Sequence, residues 1–139
     1  MTPLSRRSMP ADTLSLARWL IGKIVVRGNA SGRIVETEAY LQNDAAAHSF
    51  RGQTQRNRSL FLRRGHAYVY LAYGTSYMLN VSSESAGHGA GVLIRALEPL
   101  AGVTVMANRR GTTRLRDLTR GPGRLAQALD IDLRLDGTD

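Results

Sequence analysis

Apolar and polar positions change period several times along the 139 residues, and each change marks an element. From Asp12 to Ile21, Leu16, Trp19 and Leu20 recur at helical spacing, with Asp12 or Thr13 as N-cap and Gly22 as the stop, which predicts a first helix. Lys23 to Arg27 reads as a strand, Gly28 to Gly32 as a turn and Arg33 to Tyr40 as the returning strand. Leu41 to Arg64 is loop-rich, with one helical turn expected from Asn57 to Leu62. Strict alternation returns at His66, with Tyr68 and Tyr70 on one strand face and Ala67, Val69 and Leu71 on the other. Tyr73 breaks that alternation beside Gly74, which tolerates positive φ, so Tyr73 is expected at a hairpin tip with the chain returning through Tyr77 to Val81. Gly91 to Leu97 is a further strand, Leu100 to Arg109 a helix, and Gly121-Pro122-Gly123 leads into a helix from Arg124 to Leu129. Antiparallel strands with helices at the edges make an α+β fold, a curved sheet or open barrel with a protruding hairpin.

Length and composition support one folded domain over residues 1–139. No apolar run approaches the ~20 residues that span a bilayer, so no membrane partner and a cytoplasmic, nucleoid-associated location are expected. The chain has no cysteine, which removes disulfides, thiolate nucleophiles and Cys-based zinc sites. His66 and His88 offer no metal pair at helical spacing, and neither metal nor cofactor is expected.

The net charge of +8 changes the picture, because such a surface attracts polyanions. Phe50 to Ser83 contains Arg51, Arg56, Arg58, Arg63 and Arg64 and no acid. A second block holds Arg109, Arg110, Arg114, Arg116, Arg120 and Arg124, interrupted only by Asp117. Two basic runs with almost no counter-charge point to phosphate contacts.

Against that background the few carboxylates stand out. Glu36 and Glu38, two apart on a strand, are expected to share a face with Ile34 and Tyr40, where they either form a solvated edge or position a water for attack on a sugar carbon. Arg95 is the one charged residue in the otherwise apolar Gly91–Leu97, and an unpaired guanidinium there would be costly, so Glu38 or Glu36 is its expected partner.

The order Arg33-Ile34-Val35-Glu36-Thr37-Glu38-Ala39-Tyr40, Ala46-Ala47-His48-Ser49, Arg56-Asn57, Tyr68-Val69-Tyr70, Tyr73-Gly74, Asn80 and Arg95-Ala96-Leu97-Glu98-Pro99 resembles the alkyladenine (3-methyladenine) DNA glycosylase family of the mammalian type, from about Leu16 to Ile131. The resemblance implies an enzyme that flips alkylated or deaminated purines out of duplex DNA and hydrolyses the N-glycosidic bond. It implies Glu38 as general base, Arg95 as the partner orienting it and Glu36 as a supporting group. Tyr40, His48 and Tyr70 correspond to the walls of the base pocket, Asn80 to a residue crowding guanine's amino group, and Tyr73 to the side chain entering the minor groove. Arg56, Asn57, Arg58, Arg120, Gly121 and Arg124 are expected at the DNA backbone, and the partner is double-stranded DNA met by a monomer. The chain departs from the family at Leu60, where Met is usual, and members normally continue past Ile131 with a strand-bearing tail, so the domain is expected to be short of that tail. A strand-cutting glycosylase needs an amine for a Schiff base, and with only Lys23 and the N-terminus on offer hydrolysis without strand nicking is expected. A non-catalytic barrel stacking bases on Tyr68 and Tyr70 is the alternative reading, and a hydrolase of free sugars, which leaves the charge unexplained, is a weaker one.

Overall fold

A computed structural model describes residues 2–139. Helix α1 is Thr13–Leu20, strands β1 and β2 are Ile24–Arg27 and Ala30–Tyr40, β3 is Ala67–Ala72, β4 is Ser76–Ser82 and β5 is Gly91–Ala101. Helices α2, Val103–Arg110, and α3, Pro122–Ala128, follow. The strands form a single open sheet in the order β1-β2-β5-β4-β3, antiparallel throughout, and it does not close into a barrel.

The Asp12 carboxylate accepts a hydrogen bond from the Ser15 backbone N–H at 2.9 Å, the N-cap arrangement expected from the sequence. Two boundaries differ from expectation by three residues, and the last helix begins two residues early, at Pro122. The β1–β2 connection is only Gly28-Asn29, with Gly28 at φ 59, so β2 begins at Ala30 and not at Arg33. A short hairpin with glycine at its first central position suits the twist of the strands it joins. At the other end, Gly102 has φ 77, which stops the helix from reaching back to Leu100; Leu100 and Ala101 instead extend β5.

One face of the sheet packs against the helices. Leu16 and Leu20 of α1, Met106 of α2 and Leu125 of α3 meet Ile34, Val69, Leu79, Val92 and Ile94, all buried. A smaller cluster of Leu60, Phe61 and Tyr68, with Tyr70 against it, lies apart from that core. Beyond the reach of β4, the outer edge of β5 is met by the Thr119-Arg120 segment: Leu97 N–H donates to the Thr119 carbonyl at 3.0 Å and Ala96 bridges Arg120. The free edge of β3 is met by residues 136–138. Gly137 N–H donates to the Ala67 carbonyl, Ala67 N–H to the Thr138 carbonyl, both at 2.8 Å, and Val69 N–H to the Asp136 carboxylate at 2.9 Å.

The expected alternation of β2 fails at one place. Pairing with β5 slips between Ile34 and Glu36 and again before Thr37. Ile34 is in the core, and Thr37, three residues on, donates its hydroxyl to the Ala17 carbonyl of α1 at 2.9 Å, so both face the helices. The bulge therefore turns Glu38 and Tyr40 to the opposite face from Ile34, against the shared face expected from simple alternation.

Candidate active site

Register aligns the site across four strands. Glu38 on β2 pairs with Leu93 on β5, Leu93 with Asn80 on β4, and Asn80 with Tyr68 on β3. Strands about 4.8 Å apart make this a row about 14 Å long, with a carboxylate at one end and an aromatic at the other.

At the carboxylate end, Arg95 Nη1 donates to Glu38 Oε2 at 2.6 Å. The Tyr40 hydroxyl donates to the other oxygen, Oε1. The Tyr40 bond first, and Arg95 after it, hold the Glu38 carboxyl below its ordinary range against the opposing effect of partial burial. Glu38 is thus a carboxylate at neutral pH, while the same contact pushes the Tyr40 hydroxyl up to about 12. Arg95 finds the partner anticipated for it, but the pair is not buried: the two side chains are 45% and 37% exposed, open to a ligand arriving from solvent. Glu36 is exposed and has no ion-pair partner among the described residues.

At the aromatic end, Tyr68 and Tyr70 stack with centroids 5.4 Å apart, and His48 contacts both, edge-on to Tyr70 at 4.2 Å. His48 Nδ1 lies 2.9 Å from the Tyr68 hydroxyl, which commits that nitrogen and leaves Nε2 for a ligand. Burial first, then the neighbouring Arg56 charge, lower the His48 pKa, so the ring is neutral at pH 7. Tyr40, His48, Tyr68, Tyr70, Asn80 and Gly91 line a cavity of about 60 Å³. At 4.2 Å the His48 and Tyr70 rings are already in contact, and a third ring enters between them only if they part. A wider cleft runs on from His48 past Thr54 and Arg56 to Tyr73.

Tyr73 occupies the tip of the β3–β4 hairpin, as its broken alternation foretold. Its φ is 54, that of Gly74 is 69, and its side chain is 97% exposed. A bulky residue in the left-handed region is strained by roughly 1–2 kcal/mol, here within the turn closed by the Thr75 N–H donating to the Ala72 carbonyl at 3.1 Å. Behind the hairpin, Gly123 at the start of α3 packs so closely on Ser76 that an added Cβ would stand 2.9 Å from the Ser76 Cβ.

Several assignments change with the structure in view. Asn57, expected at the DNA backbone, is 3% exposed and its amide is used inside the loop. Its Nδ2 donates to the His48 carbonyl at 3.0 Å and to the Gly52 carbonyl at 3.1 Å, and its Oδ1 accepts from Thr54 N–H at 2.6 Å. It holds the His48 loop in shape and has no donor left for a phosphate. Part of the second basic block is similarly engaged: Arg109 donates to the Ala128 carbonyl, and Arg110 to the Leu118 and Asp117 carbonyls and to Gln127. Arg56, Arg58, Arg120 and Arg124 remain exposed, with Arg124 3.8 Å from Asp117. Tyr68, which the sequence brings to a ligand only in the base-stacking alternative, lines the same cavity as Tyr40, His48 and Tyr70. Its parity with Tyr70 was visible, but its bond to His48 depends on how the loop folds back.

The methylpurine-DNA glycosylase family model matches residues 7–139. A protein of Mesorhizobium japonicum, provisionally named 3-methyladenine DNA glycosylase, is 68% identical over 99% of this chain and 68% of its own length. Relatives given the same provisional name in Paraburkholderia phytofirmans and Methanoculleus marisnigri are 52% and 49% identical, over 99% and 91% of this chain and 66% and 68% of their own lengths. The chain thus spans about two thirds of the length of these relatives. With the family model matched over residues 7–139 and relatives up to 68% identical over nearly the whole chain, the chain belongs to the methylpurine-DNA glycosylase family of DNA repair enzymes.

Proposed function

We propose that this chain hydrolyses the N-glycosidic bond of alkylated or deaminated purines that have been flipped out of duplex DNA, leaving an abasic site. The observation that carries the reading is the Glu38 carboxylate, held ionised by Tyr40 and Arg95 on the same sheet face as an aromatic pocket. A purine stacked among Tyr40, His48 and Tyr70 gains about 1–3 kcal/mol per stacked base. Its sugar is then presented to Glu38. The carboxylate takes a proton from water as the water oxygen bonds to C1′, the C1′–N9 bond breaks, and its electron pair leaves with the purine. Before the water bonds, the negative charge of Glu38 stabilises the oxocarbenium character of the sugar. Asn80, in the pocket wall, disfavours guanine by crowding its exocyclic amino group. Tyr73 fills the gap left by the extruded base, and its exposure at a hairpin tip suits a wedge that must stand clear of the protein.

Hydrolysis without strand cleavage is the proposed outcome. Schiff-base chemistry needs an amine, and besides the N-terminus the chain offers only Lys23, whose ammonium lies 4.4 Å above the Trp19 ring of α1. That position is on the helix side of the sheet, away from Glu38. A duplex carrying one hypoxanthine, 3-methyladenine or 1,N6-ethenoadenine tests both points. Alkali after incubation should break the strand at the lesion and incubation alone should not; an alkali-stable strand contradicts the proposed reaction.

The alternative of a base-stacking module without chemistry is disfavoured by the Glu38–Arg95 pair, since an ionised carboxylate on a DNA-facing surface costs affinity and only a reaction uses it.

A further inference from the structure

We propose that the Tyr40 hydroxyl is a positioning group for Glu38, fixing Oε1 while Arg95 fixes Oε2, so that Tyr40 serves the hydrolytic step through its oxygen as well as the base pocket through its ring. The inference rests on the reading of Glu38 as the base. Tyr40 and Glu38 are two apart beyond the bulge of β2, so both project from the same face, and the hydroxyl reaches back to the carboxylate along the strand. Arg95 approaches from β5 and takes the other oxygen. A carboxylate tied at both oxygens cannot rotate about its terminal torsion, which is otherwise broad. Four lone-pair sites less two leave it able to accept a proton from water in one fixed plane.

The groups facing Glu38 are few. Arg95 comes from β5, Tyr70 from β3, and Tyr40 from its own strand. Among these, Tyr40 and Arg95 favour the ionised carboxylate, each through a hydrogen bond to one of its oxygens. Removing only the hydroxyl leaves a ring of the same size for stacking and takes away one of the two supports. A carboxylic acid is a base only when ionised, so loss of that support raises the pH at which Glu38 becomes competent, and the deficit is greatest in acid.

The test is Tyr40→Phe, compared with the unmutated protein in two measurements. Carbon NMR of labelled Glu38 without DNA should show its titration moved to higher pH. Single-turnover excision should fall in mild alkali, where only the lost orientation acts, and fall several-fold further in mild acid, with binding to the damaged duplex kept within about twofold. An unmoved Glu38 titration overturns the proposal, as does a loss of excision equal at every pH. A moved titration in a protein whose unmutated form releases no damaged purine keeps the Tyr40–Glu38 link and removes the glycosylase reading on which its catalytic meaning depends. As a check independent of aromatic packing, Tyr40→Leu should move the titration in the same direction and weaken duplex binding as well, since it removes ring and hydroxyl together.

Discussion

Arg95 Nη1 stands 2.6 Å from Glu38 Oε2, joining neighbouring strands at a point open to solvent. A salt bridge this exposed contributes little to stability, about 0–1 kcal/mol, so its worth lies in what it does to the carboxylate. Arg95→Gln should therefore leave the thermal midpoint nearly unchanged. Because Arg95 lowers the Glu38 pKa, removing its charge should shift the acid limb of the excision profile to higher pH. Pre-steady-state excision measured across pH checks this, and an unshifted limb would separate Arg95 from Glu38.

Tyr73 and Gly74 both sit in the left-handed region, and only the glycine is at ease there. Tyr73→Gly should keep or raise the thermal midpoint, since relief of about 1 kcal/mol of strain offsets glycine's greater freedom in the unfolded chain. The same variant should weaken binding to a damaged duplex by about tenfold or more, because the wedge is gone. Calorimetry and fluorescence anisotropy report the two effects separately; a large drop in the midpoint would mean that Tyr73 packs on the protein.

The hairpin that carries Tyr73 leans on α3 through Gly123 and Ser76. Gly123→Ala should cost about 1–3 kcal/mol by overpacking and reduce damage-site binding as the hairpin is pushed away. Ser76→Gly in the same chain removes the opposing Cβ and should restore much of the binding. Denaturant melts with binding assays on the single and double variants measure that recovery.

The arginines divide into two groups that salt can distinguish. Arg56 is exposed along the cleft between His48 and Tyr73, so Arg56→Ala should lower the salt slope of duplex binding by about 1. Arg110 instead ties α2 to Leu118, Asp117 and Gln127, so Arg110→Ala should lower stability and leave the salt slope in place. Binding isotherms at several salt concentrations decide between the roles.

How far these relationships were legible in the sequence differs by residue. Alternation located β3 and β4, and its failure at Tyr73 located the hairpin tip, because a turn needing positive φ leaves a local mark in Tyr73-Gly74. The pairing of Arg95 with a carboxylate was also readable, although the burial cost that argued for it does not apply to a side chain this exposed. The bulge after Ile34 was not, because no glycine or proline marks it, and it alone puts Ile34 and Glu38 on opposite faces. Nor was the work of Asn57, whose buried amide binds backbone groups of its own loop, or of Arg109 and Arg110, whose carbonyl partners lie outside α2, at Ala128 and Leu118. A charge run shows that a segment is basic; which of its members are spent on internal hydrogen bonds is decided by packing.

The central claim is that Glu38 performs the chemistry and that the aromatic row performs the binding. Single-turnover release of hypoxanthine from a duplex, measured for the unmutated protein and for Glu38→Gln alongside their affinities for the same duplex, tests it most directly. The account predicts a loss of about 10²–10⁴ in excision rate with duplex affinity retained. Excision by Glu38→Gln at a rate near that of the unmutated protein would contradict it.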